Sequence, residues 1–125
     1  MILVTSLSRR QWDGPKIRSA LQPYVDVVKE IAKERDVPLI DLHARSIELY
    51  EKLGKEGCVV ISPIKNPATT QSGDTASNVA ADKKVSYDGT HLNSKGSEMI
   101  GPVVATELAK AVPELGKYVK TRTSK

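Results

Sequence analysis

The chain has 125 residues, 39% of them hydrophobic and 27% charged, with a formal net charge of +4. That is room for one ordinary domain, and Leu, Ile, Val and Ala must build its core, because Phe is absent and aromatics make up 4%. No run approaches the ~20 apolar residues that cross a bilayer, the basic residues sit among acids on helical faces rather than in a nucleic-acid patch, and the single Cys58 excludes an internal disulfide and a cysteine-based zinc site.

ILVTSL opens the chain as a short run of β-formers and reads as a buried strand. MILVTSLSRR carries its basic residues after the apolar run, the reverse of a secretory signal, so a secreted or periplasmic location would need a signal peptide before Met1. SRRQWDGP follows as a loop in which Asp13, Gly14 and Pro15 signal a turn into a helix. Gln22-Pro23 starts a further helix, since proline fits the first turn. Tyr24, Val25, Val28, Ile31 and Ala32 give it one apolar stripe.

VPLIDL, residues 37–42, is a second strand that reads as buried on both faces. Ala44 to Leu53 is the next helix, with Gly54 as its stop. Cys58 lies in the apolar run GCVVI and reads as a small buried hydrophobe, with nothing nearby to lower its pKa. Residues 66–86 are polar and aperiodic and read as a flexible loop. A helix runs from about Ser94 to Val112, capped by Asn93 or Ser94 and expected to kink at Pro102. Residues 119–125 form a basic tail.

Strand, helix, strand, helix is the grammar of a parallel α/β sheet. Two strands leave an edge unpaired, which predicts self-association of the chain.

The stretch SYDGTHLNSKG places Asp88 three residues before His91, just ahead of a helix start. A carboxylate at that distance can fix the tautomer of a histidine and stabilise its charged form, which makes the histidine a usable general base. Gly89 between them is expected to supply a glycine-only backbone angle. D-x-x-H can equally be a turn that caps a helix. Only one other histidine, His43, is present, which gives a metal site on Asp88 and His91 little to draw on.

VTSLSRRQW, VPLIDLHARSIELYEKLG and DGTHLNSKGSEMIGPVVATELAKAVPELGKYV, in that order, resemble the C-terminal half of SGNH (GDSL-type) hydrolases, nearest their rhamnogalacturonan acetylesterase-like branch. The resemblance implies a three-layer α/β/α sandwich with a parallel sheet, flavodoxin-like, of which this chain is one partial domain. It implies a carboxylic ester hydrolase that removes O-acetyl groups from plant cell-wall polysaccharide of rhamnogalacturonan, pectin or xylan type, with no cofactor. Asp88 would be the orienting carboxylate and His91 the general base of a Ser-His-Asp triad. The family's G-D-S, oxyanion-glycine and G-x-N-D blocks do not occur in the sequence. Ser6 and Ser8 follow the first strand but lack a G-D-S context, so the chain alone is expected to be inactive.

Arg9, Arg10 and Trp12 follow the first strand at its ligand-facing end. Arginine can pair with a uronate carboxylate and an indole can stack on a sugar, or the same residues can be solvated and packed against a helix. His43 reads as a helix start or a rim contact. The reading of another class is a non-catalytic module that binds carbohydrate or completes a sheet in another protein.

Overall fold

The structure, a computed structural model, describes residues 1–65 and 85–120. The first strand, β1 (Leu3–Val4), is followed by a hairpin of β2 (Trp12–Asp13) and β3 (Lys16–Ile17). Helix α1 (Gln22–Glu34) then leads to β4 (Leu39–Ile40), α2 (Leu42–Val60) and α3 (Ser94–Ala111), and a 3-10 helix, Pro113–Tyr118, packs back on α3.

Strands β1 and β4 pair in parallel, Leu3 opposite Leu39 and Val4 opposite Ile40, with α1 as the crossover. A small parallel sheet with helices is thus present, though its paired strands are much shorter than ILVTSL and VPLIDL. The expectation of strands buried on both faces is corrected: Ile40 is buried, but Val4 is 47% exposed. Among the described residues the helices leave part of this sheet uncovered.

The turn at Asp13-Gly14-Pro15 does not lead into a helix. It closes the β2–β3 hairpin, with Gly14 at φ +60°, a left-handed angle that favours glycine. Glu51 on α2 holds the hairpin by accepting from the Ile17 amide at 3.0 Å and pairing with Lys16 at 3.0 Å.

Pro23 lies in the first turn of α1, as its fixed φ allows. Only Val25 and Ala32 of its apolar stripe are buried, while Tyr24 is 71% and Ile31 42% exposed. Helix α2 starts two residues before its expected position, capped by Asp41, whose carboxylate accepts from Ala44 N at 3.2 Å. Gly54 breaks it at φ 71°, ψ 176°, but helical turns resume through Cys58 and Val60. The resumption follows from packing: Cys58 and Ile61 join Ile17 and Tyr50 in the core, with Trp12, Ile47, Leu53 and Leu92 around them. Cys58 is 3% exposed and burial pushes its thiol pKa up, the state of an inert thiol.

Helix α3 begins and ends close to its expected limits and continues through Pro102. The polar loop lies outside the described residues from 66 to 84, as does the tail beyond residue 120.

Candidate functional site

The Asp88–His91 turn sits just beyond β1, between the end of α2 and the start of α3. Both flanks of the turn are tied down. On one side the Asp88 amide donates to Pro63 O at 2.8 Å. On the other, the Asn93 side chain accepts from Gly96 N at 3.0 Å and donates to Val60 O at 2.8 Å and Ser62 O at 3.3 Å. Asn93 therefore caps α3 and also ties that cap to the end of α2.

Within the turn, His91 Nδ1 lies 2.7 Å from Asp88 Oδ2. An ionised carboxylate only accepts, so Nδ1 carries a proton, and in the neutral imidazole Nε2 keeps its lone pair. The other carboxylate oxygen, Oδ1, accepts from the Thr90 amide at 2.6 Å and the His91 amide at 3.1 Å. The bond from His91, helped by these two amides, holds the Asp88 carboxyl far below the usual carboxylate range. Asp88 therefore stays ionised at any ordinary pH. The His91 side chain is 77% exposed, so its free nitrogen faces outward and can be reached.

Gly89 does not supply a glycine-only angle. Among the described residues positive φ occurs only at Gly14, Gly54 and Asp36. Instead its carbonyl accepts from the Arg10 amide at 2.8 Å, and a Cβ at this position would meet the Arg10 carbonyl oxygen at 3.4 Å.

Arg10 is where the structure departs most from the sequence reading. The residue is 7% exposed, and its guanidinium points under the turn. Nη2 donates to the carbonyl of Asp88 at 2.8 Å and to that of His91, while Nε donates to Ser62 Oγ at 3.1 Å. The same group lies 5.3 Å from the centre of the Tyr50 ring, a cation–π contact within the core. Arg10 thus holds the turn from below, and it also lines a cavity beside that turn. Sequence reasoning had no local signal for this, because Arg10 and His91 are far apart in the chain. The Ser62 partner was missed for the same reason.

Arg9 is exposed beside this support. Trp12 packs on the core and also lines two cavities. One, of about 230 Å³, is bounded by Arg10, Tyr87, Asp88 and Gly89, and the other, of about 530 Å³, by Gly14, Pro15, Glu51 and Lys55.

His43 is 2% exposed and is held by Ser6 O at 3.1 Å and Ser19 Oγ at 2.6 Å, away from the Asp88–His91 pair. Ser8 is buried, with its amide on Ser46 Oγ at 2.9 Å. Among the described residues neither Ser6 nor Ser8 bonds to His91.

The chain is 32% identical over 124 residues to rhamnogalacturonan acetylesterase RhgT of Bacillus subtilis (strain 168). It is related to a hydrolase. The alignment takes in 95% of this chain and 46% of that protein, so the chain spans about half the length of the relative it matches. No protein-family model matches the sequence, and no solved structure does either.

Proposed function

We propose that this chain is the acid–base part of a carboxylic ester hydrolase of the SGNH type, acting on O-acetyl groups of plant cell-wall polysaccharide. The 125 residues form one partial domain of a three-layer α/β/α sandwich, and the nucleophilic serine lies on a segment other than these residues. The observation that carries the reading is the Asp88–His91 contact at 2.7 Å, with Nε2 exposed and both residues held from beneath by Arg10. The similarity to an acetylesterase along nearly the whole chain supports the same reading.

In this mechanism the serine oxygen attacks the acetyl carbonyl carbon while His91 Nε2 takes the serine proton. Asp88 holds the ring and stabilises the imidazolium. The tetrahedral intermediate collapses, the carbon–oxygen bond to the sugar breaks, and His91 gives the proton to the leaving sugar oxygen. Water then attacks the acetyl-serine, again losing its proton to His91, which returns it to the serine as acetate leaves. Arg9 and the cavity wall formed by Trp12 are the substrate-contact candidates. No cofactor enters any of these steps.

A chimera tests this directly. The matching part of the Bacillus subtilis acetylesterase is replaced by this chain, and acetate release from acetylated rhamnogalacturonan is measured. The expected result is hydrolysis that falls by about 10⁴ in kcat on Asp88→Asn and by about 10⁶ on His91→Ala. A folded chimera whose activity survives both substitutions would reduce the turn to a helix cap.

A further inference from the structure

The cavity of about 530 Å³ lies on the side of Trp12 away from the acid–base turn, since neither Asp88 nor Gly89 lines it. Its size is that of a small-molecule pocket. Two breaks in the chain's regular structure supply its walls: Gly14 and Pro15 in the β2–β3 turn, and the interruption of α2 at Gly54. Each glycine takes a left-handed φ, and a Cβ at either would meet nothing within 4 Å, so both present bare backbone to open space. The walls are fastened to each other before any ligand arrives. Glu51, on α2, accepts from the Ile17 amide and pairs with Lys16, and both partners belong to the hairpin.

Charge narrows what can sit there. The lining carries two carboxylates, Glu51 and Glu56, and one ammonium, Lys55. Glu51 is balanced by Lys16, and the Ile17 amide and Lys16 hold its carboxyl below the usual range. Lys55 and Glu56 are exposed and have no ion-pair partner among the described residues. An anion would gain Lys55 but face Glu51 and Glu56, and a cation would gain Glu56 but face Lys55 and Lys16. A metal ion would lack ligands, because among the described residues no three His, Cys, Asp or Glu side chains gather. A neutral polyol meets none of these penalties. Carboxylates accept from its hydroxyls and the ammonium donates to them. The indole of Trp12 offers a flat apolar face to its C–H side.

We propose that this cavity binds one neutral sugar residue of a polysaccharide, apart from the acid–base turn. The choice of a sugar over other polyols rests on the function proposed above, whereas the neutrality follows from the lining alone. Trp12 and Lys55 line both cavities, so they form the threshold between the sugar site and the smaller cavity that reaches Asp88 and Gly89. A chain held over Trp12 on one side therefore passes its next residue toward the turn on the other. Binding energy from such a remote site favours a polymer over a small ester that cannot reach it.

Trp12 is the single tryptophan of the chain, so its fluorescence reports directly from the cavity wall. The full chain is titrated with three neutral probes: xylotetraose, galactotetraose, and a rhamnogalacturonan tetrasaccharide whose carboxyls have been reduced to alcohols. Tetragalacturonate is the charged comparison. The expected result is a saturable change with at least one neutral probe below about 10 mM, insensitive to salt. Lys55→Ala with Glu56→Ala should weaken it about tenfold or more, and circular dichroism checks that this variant is folded. In the chimera the same two substitutions should raise KM for acetylated rhamnogalacturonan about tenfold while changing kcat little. Sugar binding by the lone chain, with a chimera that hydrolyses no ester, keeps this site and refutes the hydrolase reading. Hydrolysis by a chimera whose KM ignores the two substitutions keeps that reading and overturns this site. No neutral probe bound, a response to tetragalacturonate alone, or binding indifferent to both substitutions would overturn it as well.

Discussion

Asp88 accepts three hydrogen bonds through its carboxylate and gives its own carbonyl to Arg10, so its ionisation is coupled to the shape of the whole turn. A free aspartate titrates near 3.8, and the folded value lies below it. The stabilisation is therefore complete above that value and is lost as the pH falls through the folded one. Urea unfolding at about pH 6 and at about pH 3 should show wild type losing part of its advantage over Asp88→Asn on acidification. A gap that stays constant would mean that the carboxylate is not selectively held in the native state. Arg10 makes a different kind of prediction. Arg10→Met leaves the Asp88 and His91 carbonyls without their donor and should cost about 2–4 kcal/mol. Arg10→Lys should recover only part of this, because an ammonium cannot span both carbonyls and Ser62 as a planar guanidinium does. Faster amide exchange at residues 88–91 in Arg10→Lys, with the remaining amides unchanged, is the measurement that separates support of the turn from general stability.

Helix starts and stops that depend on nearby residues were readable from the sequence. Pro23 at the head of α1 and Asn93 before α3 both announce themselves, since a cap acts within one turn. Gly54 was readable as a break but not as an interruption, because Cys58 and Ile61, which make helical turns resume, are held by Ile17 and Tyr50 from elsewhere in the chain. The hairpin strands are two residues each, too short to show an alternating pattern. Gly54 occupies a backbone region nearly reserved for glycine, although a Cβ there would meet nothing within 4 Å. Gly54→Ala should therefore cost about 1–3 kcal/mol by strain alone, measured by denaturant unfolding. At Asn93 two substitutions divide its functions. Asn93→Asp keeps the acceptor for Gly96 and loses the bonds to Val60 and Ser62, whereas Asn93→Ala loses all three and should cost about 1–2 kcal/mol.

A parallel sheet with flanking helices was expected from the order of apolar runs, and the pairing of β1 with β4 agrees. What the sequence concealed is the way the site is assembled. The Asp88–His91 contact is three residues long and follows from local spacing. Its support comes from Arg10 and Ser62, which no periodicity connects to it. The burial of Arg10 was not legible either, because exposure depends on the whole packing, not on position after a strand. On the proposed function, the isolated chain should hydrolyse p-nitrophenyl acetate no faster than a histidine-bearing control protein, since an acid–base pair whose nucleophile lies elsewhere has nothing to activate. Turnover abolished by Ser6→Ala or Ser8→Ala would place a rearranged site within these residues.

Where the chain leaves and re-enters the described structure, it is clamped. Lys65 N donates to Ser86 O at 2.9 Å, Ile64 and Tyr87 form an antiparallel bridge, and Asp88 N closes on Pro63 O. The two ends of the 66–84 segment are thus held side by side, whatever its length. Closing a chain loop costs entropy only as the logarithm of its length, so doubling this segment should cost about 0.6 kcal/mol. The stretch between residues 65 and 85 can therefore lengthen or shorten over evolutionary time, or accept an inserted peptide, while the geometry of Asp88 and His91 stays as it is.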